Sequence, residues 1–129
     1  PEIAKVADFF SVGTNDLTQY ALAVDRTHPL LAKRADSLHP VVLRLISTAT
    51  KAAHAEGKWV GVCGGLAADP LGAQILAGLG VDELSMPPAL IPAVKEKIRK
   101  ASLTDLQALA TRAMAQDDAV AVRLIPPVV

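Results

Sequence analysis

The sequence predicts an α/β fold of parallel strand–helix units, and three observations carry that prediction. Short apolar stretches at residues 7–13, 59–63 and 83–86 each end against Gly or Pro, as buried strands do. Each is followed, directly or after a polar stretch, by a segment whose apolar residues recur at helical spacing. The composition agrees: hydrophobic residues make up 51% of the 129-residue chain but aromatics only 3%. The core is therefore aliphatic and assembled from many small side chains, in a chain long enough for one modest domain.

The elements follow in order. Ala7-Asp8-Phe9-Phe10-Ser11-Val12-Gly13 reads as a short buried strand stopped at Gly13, and a polar stretch containing Pro29 comes after it. Pro40 opens a helix, where its missing N–H costs nothing, and His39 just before it helps to start the turn. Val42, Leu45, Ile46, Ala49 and Ala53 form the apolar side of that helix, and Gly57 is its C-terminal stop. The second strand is Trp59-Val60-Gly61-Val62-Cys63, ending in Gly64-Gly65, with Trp59 read as a packing residue. Asp69-Pro70 reads as an N-cap with Pro at the first helical position, and Leu71, Ile75, Leu76 and Leu79 continue that helix. Glu83-Leu84-Ser85-Met86 is the third strand, closed by Pro87-Pro88. A short helix over 91–100 carries Lys95, Lys97, Arg99 and Lys100 on a solvated face. Ser102 with Asp105 resembles a capping arrangement before a last helix whose apolar side is Leu103, Leu106, Leu109, Ala110 and Ala113. The end of the chain, Ile125-Pro126-Pro127-Val128-Val129, is expected to be loose.

Three such units cannot close a (β/α)8 barrel of TIM type, and they leave sheet edges that something must cover. The chain therefore reads as the last three βα units of such a barrel, with residues 1–115 inside the domain and 116–129 a C-terminal tail. It opens on Pro1 rather than Met, which fits a piece processed or cut from something longer. Strands with open edges are expected to associate, with the rest of a barrel or with further copies.

Charge and motif content narrow the function classes. Lys and Arg number 13, as do Asp and Glu, and the formal net charge is zero. That balance argues against a broad electrostatic grip on nucleic acid or on an anionic membrane. No apolar run approaches the ~20 residues of a membrane span and no secretory signal is visible, so a cytoplasmic location is expected. One cysteine, Cys63, excludes both an internal disulfide and a multi-cysteine zinc site. Gly13 lets the backbone turn closely, Asn15 offers an amide donor, Asp16 a hard oxygen for Mg²⁺, and Arg26 a planar fork suited to phosphate. On their own, Asn15 and Asp16 read first as a turn or cap, Arg26 as a solvated surface residue, and Cys63 as a small buried apolar residue.

A resemblance changes that weighting. Residues 8–26, DFFSVGTNDLTQYALAVDR, resemble the signature of the phosphoenolpyruvate-utilising enzymes: Ser-x-Gly-Thr-Asn-Asp-Leu-x-Gln with an Arg seven residues after the Gln. HAEGKWVGVCGGLAADP at 54–70 resembles the Cys loop of the same family, and GVDELSMPPALIPAVKEKIR at 80–99 extends the likeness. VDRTHPLLAKRADSLHPVVLRLI looks like Enzyme I of the bacterial phosphoenolpyruvate:sugar phosphotransferase system, in particular the Enzyme I portion of fused fructose-type multiphosphoryl transfer proteins. It looks less like the pyruvate phosphate dikinases, which with phosphoenolpyruvate synthase form the alternative reading.

The resemblance implies a phosphoenolpyruvate-binding barrel domain, active in transferring phosphoryl to a His and on to a phosphocarrier protein. It implies that Asn15 holds phosphoenolpyruvate, that Asp16 is one of two carboxylates on Mg²⁺, and that Arg26 binds the transferring phosphoryl group. It implies that Cys63 protonates C3 of the pyruvate enolate, a role suited to a group that titrates at about pH 8.5 when free. Gly64 and Gly65 keep the loop narrow beside it. Where many relatives carry Glu after Cys-Gly, this chain has Gly65, a trait of the fructose-type fusions that removes a carboxylate from the thiol. In the family the acceptor His lies on a separate swivelling domain, and none of His28, His39 and His54 matches its motif; His54 is read as a partly exposed structural residue. The resemblance also calls for further Arg residues on earlier strands, a second Mg²⁺ carboxylate and the acceptor His, and the segments that would carry them are not among these 129 residues. The isolated chain is therefore expected to be inactive, a non-catalytic oligomerisation module. The family barrel also dimerises, so a homo-oligomer is expected, and the phosphocarrier protein is reached through an N-terminal part that this chain lacks.

Overall fold

The computed structural model describes residues 1–128; Val129 lies outside the described residues. Three short strands, β1 (Phe10–Gly13), β2 (Val60–Cys63) and β3 (Glu83–Ser85), form one sheet in the order β1-β2-β3. Both pairings are parallel, with Val12 opposite Val62 and Val62 opposite Leu84. Because successive side chains alternate across a sheet, those three residues share one face. Val62 is buried there, and Val12 and Leu84 pack against the same core.

The helices that cover this face are α2 (Pro40–Ala55), α4 (Pro70–Gly78) and α6 (Leu103–Met114). Leu43 and Ile46 of α2, Ile75 and Leu76 of α4, and Leu109 of α6 are fully buried, each contributing about 1.5–3 kcal/mol by leaving water. The helix starts are the ones the sequence encodes. His39 Nδ1 accepts the Val41 N–H ahead of Pro40, Asp69 Oδ1 accepts the N–H groups of Leu71 and Gly72, and Ser102 Oγ accepts that of Asp105. Gly57 ends α2 at φ +66°. Gly78 lets α4 close on α6, since a Cβ there would collide with the backbone of Leu106.

The remaining elements correct several expectations. The polar stretch after β1 begins as a nine-residue helix, α1 (Thr14–Leu22). Its inner side is polar: Thr14 and Thr18 are buried, Thr18 Oγ1 reaches Thr14 O at 2.6 Å, and it shares a hydrogen bond with Ser37 Oγ at 2.7 Å. Hydroxyls satisfied in this way hide a helix from an apolar-spacing test. β1 is half-buried rather than buried, because its second face is uncovered. Leu45 and Leu103 are exposed, and the inner side of α2 uses Ser47 and Thr50 as well as Val42, Leu43 and Ile46. A four-residue helix, α3 (Gly65–Ala68), precedes α4, and the basic helix α5 (Ile91–Lys100) follows β3.

α6 is not the last helix. Asp118 Oδ1 accepts the Ala121 N–H and opens α7 (Ala119–Arg123). Ala119, Val122 and Ile125 are buried in the main core, and buried Gln74 donates Nε2 to Val128 O at 2.7 Å. Ile125 and Val128 are therefore packed rather than loose, with Pro126 and Pro127 exposed between them; Val129, also expected to be loose, lies outside the described residues.

The second sheet face carries Ser11, Gly13, Gly61, Cys63, Glu83 and Ser85 by the same alternation. At its N-terminal end Phe9 and Trp59 stack, with ring centroids 4.7 Å apart and planes 5° from parallel. The Trp59 ring leans over Gly61: a Cβ there would lie 3.1 Å from Cζ3, and 3.7 Å from Glu83 Oε1. Apart from that stack this face is small and polar.

Candidate functional site

β1 and β2 end side by side, Gly13 opposite Cys63 in parallel register. Asn15 and Asp16 therefore occupy the first turn of α1 on the same rim as the thiol. Asp16 is favoured there by the positive end of the helix. The two strand ends are tied by side chains as well as by the ladder. Buried Thr14 donates Oγ1 to Cys63 O at 2.9 Å, and the Gly65 N–H donates to Asn15 Oδ1 at 3.2 Å.

Gly64, between them, has φ +102°, which a side chain rarely adopts. A Cβ on it would stand 2.5 Å from Thr14 Oγ1 and 3.1 Å from Asn15 Oδ1. Only glycine lets the two turns approach this closely. Gly65 differs: a Cβ there would meet Asn15 Oδ1 at 3.6 Å, an ordinary contact, so its lack of a side chain is not a steric demand.

These contacts orient Asn15. With Oδ1 engaged by Gly65, the two Nδ2 protons are the free donors of the amide, which suits a carboxylate or phosphate oxygen. Asn15 and Gly65 line an open cavity of about 410 Å³, together with Lys33, Ser37, Asp36 and Asp69. Cys63 is half-buried at the strand end behind Gly64.

Gln19 is the residue of the candidate site that sequence reasoning passed over, although it stands inside the quoted signature. Its Nε2 lies 3.4 Å from Asp16 Oδ1 and its Oε1 accepts the Arg26 N–H at 3.0 Å. One amide thus spans two candidate ligand residues. The signal was the i, i+3 spacing of Asp16 and Gln19, which brings side chains together only on a helix. Arg26 itself is exposed beyond Ala23, the C-cap of α1, where the chain turns back so that its N–H meets the same Gln19 amide that reaches Asp16. The structure gathers Asn15, Asp16 and Cys63 on one rim; it does not join Arg26 to them by any side-chain hydrogen bond. The segment carrying Arg26 is held by Asp25, whose Oδ1 accepts both the N–H and the Oγ1 of Thr27 at 2.7 Å. Those bonds lower the Asp25 carboxyl below its ordinary pKa.

Among the described residues no group of three or more His, Cys, Asp or Glu side chains stands together to hold a metal ion. Asp16 is a single exposed carboxylate, and Mg²⁺, which dehydrates reluctantly, is poorly served by one. The residues present do not form a Mg²⁺ site by themselves. Among them, too, no helix is long and apolar enough to cross a membrane. All three histidines have local duties: His28 Nδ1 accepts the Leu30 N–H at 3.2 Å, His39 caps α2, and His54 Nε2 meets Asp82 Oδ2 at 2.8 Å.

Comparison with known proteins matches the sequence that builds this site to a family. Residues 1–103 match the family model described as PEP-utilising enzyme, PEP-binding domain. The chain is 55% identical over 123 residues to a multiphosphoryl transfer protein of Rhodobacter capsulatus and 58% identical over 123 residues to one of Xanthomonas campestris pv. campestris. Each alignment covers 95% of this chain and 15% of the relative. It is 47% identical over 112 residues to a phosphoenolpyruvate-protein phosphotransferase of Haemophilus influenzae, covering 87% of this chain and 20% of that protein. The chain thus spans a fifth or less of the length of these curated relatives.

Proposed function

This chain belongs to the family of PEP-utilising enzymes through its PEP-binding domain, and from that premise we propose that it is part of the catalytic domain of an Enzyme I-type phosphotransferase. The longer protein takes phosphoryl from phosphoenolpyruvate onto an active-site His and passes it to a phosphocarrier protein for sugar uptake. The observation that carries the reading is the shared rim: the Asn15 amide, oriented by the Gly65 N–H, and the Cys63 thiol stand at the ends of two paired strands. The names of the relatives favour this over a pyruvate phosphate dikinase or a phosphoenolpyruvate synthase.

In this reading the three strands are the last three of a (β/α)8 barrel. Residues 1–115 are the C-terminal portion of that domain and 116–129 its C-terminal tail, in which Ala119, Val122 and Ile125 pack into the same core. The small, polar second face of the sheet is then the barrel interior. Active sites of such barrels gather at the C-terminal ends of the strands, the rim that carries Asn15, Asp16 and Cys63. Asn15 donates to the bound phosphoenolpyruvate, and Arg26 binds the transferring phosphoryl group. As the bond from phosphorus to the enol oxygen breaks, phosphoryl passes to the acceptor His outside this chain. The Cys63 thiol gives its proton to C3 of the enolate, leaving pyruvate and a thiolate; the reverse reaction returns it.

Asp16 would be one of the residues that hold a Mg²⁺ ion, which would supply charge neutralisation for the phosphate and enolate oxygens. The protein is cytoplasmic and homo-oligomeric, and meets the phosphocarrier protein through a part outside this chain. Alone, the 129 residues act as an inactive assembly module. A single-turnover assay with labelled phosphoenolpyruvate tests both halves of the reading. The longer protein should form phosphohistidine and the isolated chain none; label on His28, His39 or His54 of the isolated chain would overturn it.

A further inference from the structure

One guanidinium near the end of the chain joins two loops of the rim. Arg123 Nε donates to Asp36 Oδ2 at 2.6 Å and Nη2 to Asp36 Oδ1 at 3.0 Å, a bidentate fork. The third arm, Nη1, donates to Asp69 Oδ2 at 3.2 Å. The two carboxylates belong to different parts of the site. Asp36 lies in the segment between α1 and α2, downstream of Arg26, and its Oδ1 also accepts the Leu38 N–H. Asp69 ends the loop that begins at Cys63-Gly64-Gly65, and its Oδ1 caps α4. Each is three-quarters buried, and both line the cavity into which Asn15 and Gly65 face, as does Arg123 itself.

Nothing local in the sequence links these residues, which lie 87 and 54 positions from Arg123. What places Arg123 is the packing of α7. Ala119 and Val122 are buried in the main core and Asp118 caps the helix, so the guanidinium is carried by a fixed element. A planar fork with a third donor can serve two carboxylates at once; an ammonium cannot reproduce that geometry.

We propose that Arg123 is a positioning residue of the rim: by holding Asp36 and Asp69 together it fixes the segment after α1 against the loop after Cys63, and so couples the shape of the Asn15 cavity to the C-terminal helix. Its consequence for catalysis rests on the phosphotransferase reading; the clamp between the loops does not. A half-exposed ion pair adds little to global stability. The effect of losing it is therefore local order at the rim.

Amide hydrogen exchange of the 129-residue chain reads the clamp directly. Arg123→Gln should speed exchange at Leu38, Leu71 and Gly72 by roughly 3–10-fold, while Ile46 and Leu109 in the core stay unchanged. Asp36→Asn should speed exchange at Leu71 and Gly72, on the other loop, and the double variant should add little to either single one. Arg123→Lys keeps the charge and should recover only part of the protection. In the longer phosphotransferase, Arg123→Lys should lower kcat/KM for phosphoenolpyruvate by about 5-fold or more at an unchanged Tm, mostly in kcat. Uniform acceleration across the core, no response at Leu71 and Gly72 to Asp36→Asn, or an unchanged kcat/KM would each overturn the proposal. If the unmutated longer protein fails to turn over phosphoenolpyruvate, the functional reading falls, and the exchange pattern still decides the clamp.

Discussion

The two faces of the sheet obey different rules, although they alternate residue by residue along the same three strands. Val12, Val62 and Leu84 face a dry layer of Leu and Ile from α2, α4 and α6. Ser11, Gly61 and Glu83, then Gly13, Cys63 and Ser85, face away from it. Burial by close-packed aliphatic groups holds the first face, and any lost volume there is felt. The second face is kept small and polar, which leaves room above it and places a thiol and an amide donor at its rim. Stability and the proposed chemistry are thus divided between opposite sides of one sheet.

The sharpest way to break that division is from the core side. Leu76→Ala should cost about 2–5 kcal/mol, because the side chain is fully buried and little around it can collapse. Ser85→Ala, exposed on the other face, should stay within about 0.5 kcal/mol. Urea denaturation of the two variants measures the contrast, and equal losses would dissolve it.

Gly64→Ala tests the boundary between the faces. Positive φ and the close approach of Thr14 Oγ1 together predict a loss of roughly 1–3 kcal/mol. Loss of the Gly65–Asn15 hydrogen bond should accompany it, visible as faster exchange of the Gly65 amide.

A smaller effect comes from the far rim. Asp82 accepts from His54 Nε2 and from the Val60 N–H, and these bonds hold its carboxyl below the ordinary value of 3.8. A carboxyl lowered by folding contributes stability that is fully present above about pH 4 and is lost as pH falls through its folded value. The urea midpoint of the unmutated chain should therefore fall more steeply below pH 4 than that of Asp82→Asn. Parallel curves would remove Asp82 from the account.

The smallest change belongs to the open rim. Gly65→Glu should alter stability by no more than about 0.5 kcal/mol, since its Cβ makes only an ordinary contact and an acidic group suits the start of a helix. Thermal melting checks it; a loss comparable to that of Gly64→Ala would show that position 65 is sterically closed.

Much of this division was legible in the sequence where local chemistry decides structure. Pro40, Asp69-Pro70 and Ser102 mark helix starts and Gly57 a stop through their own backbone geometry, with no help from distant residues. The rim could be read from Gly13-Thr14-Asn15-Asp16 and Cys63-Gly64-Gly65 because parallel strands put their C-terminal ends together. Less local features escaped. α1 hides behind Thr14 and Thr18, polar residues whose hydroxyls are satisfied only once Ser37 and the first turn are in place. Leu45 and Leu103 are apolar at helical spacing yet face solvent, because which side of a helix is covered depends on its neighbours. The clamp of Arg123 on Asp36 and Asp69 follows from the packing of α7, and no spacing announces it.

The functional claim rests on the Cys63 proton, and deuterium exchange at C3 of pyruvate tests it most directly. In the longer phosphotransferase, incubated with pyruvate in D₂O, the unmutated enzyme should label the methyl group. Cys63→Ala should lower that rate by about 100-fold or more while leaving urea stability within about 1 kcal/mol. Undiminished labelling by the Cys63→Ala enzyme would contradict the account and move the proton to another group.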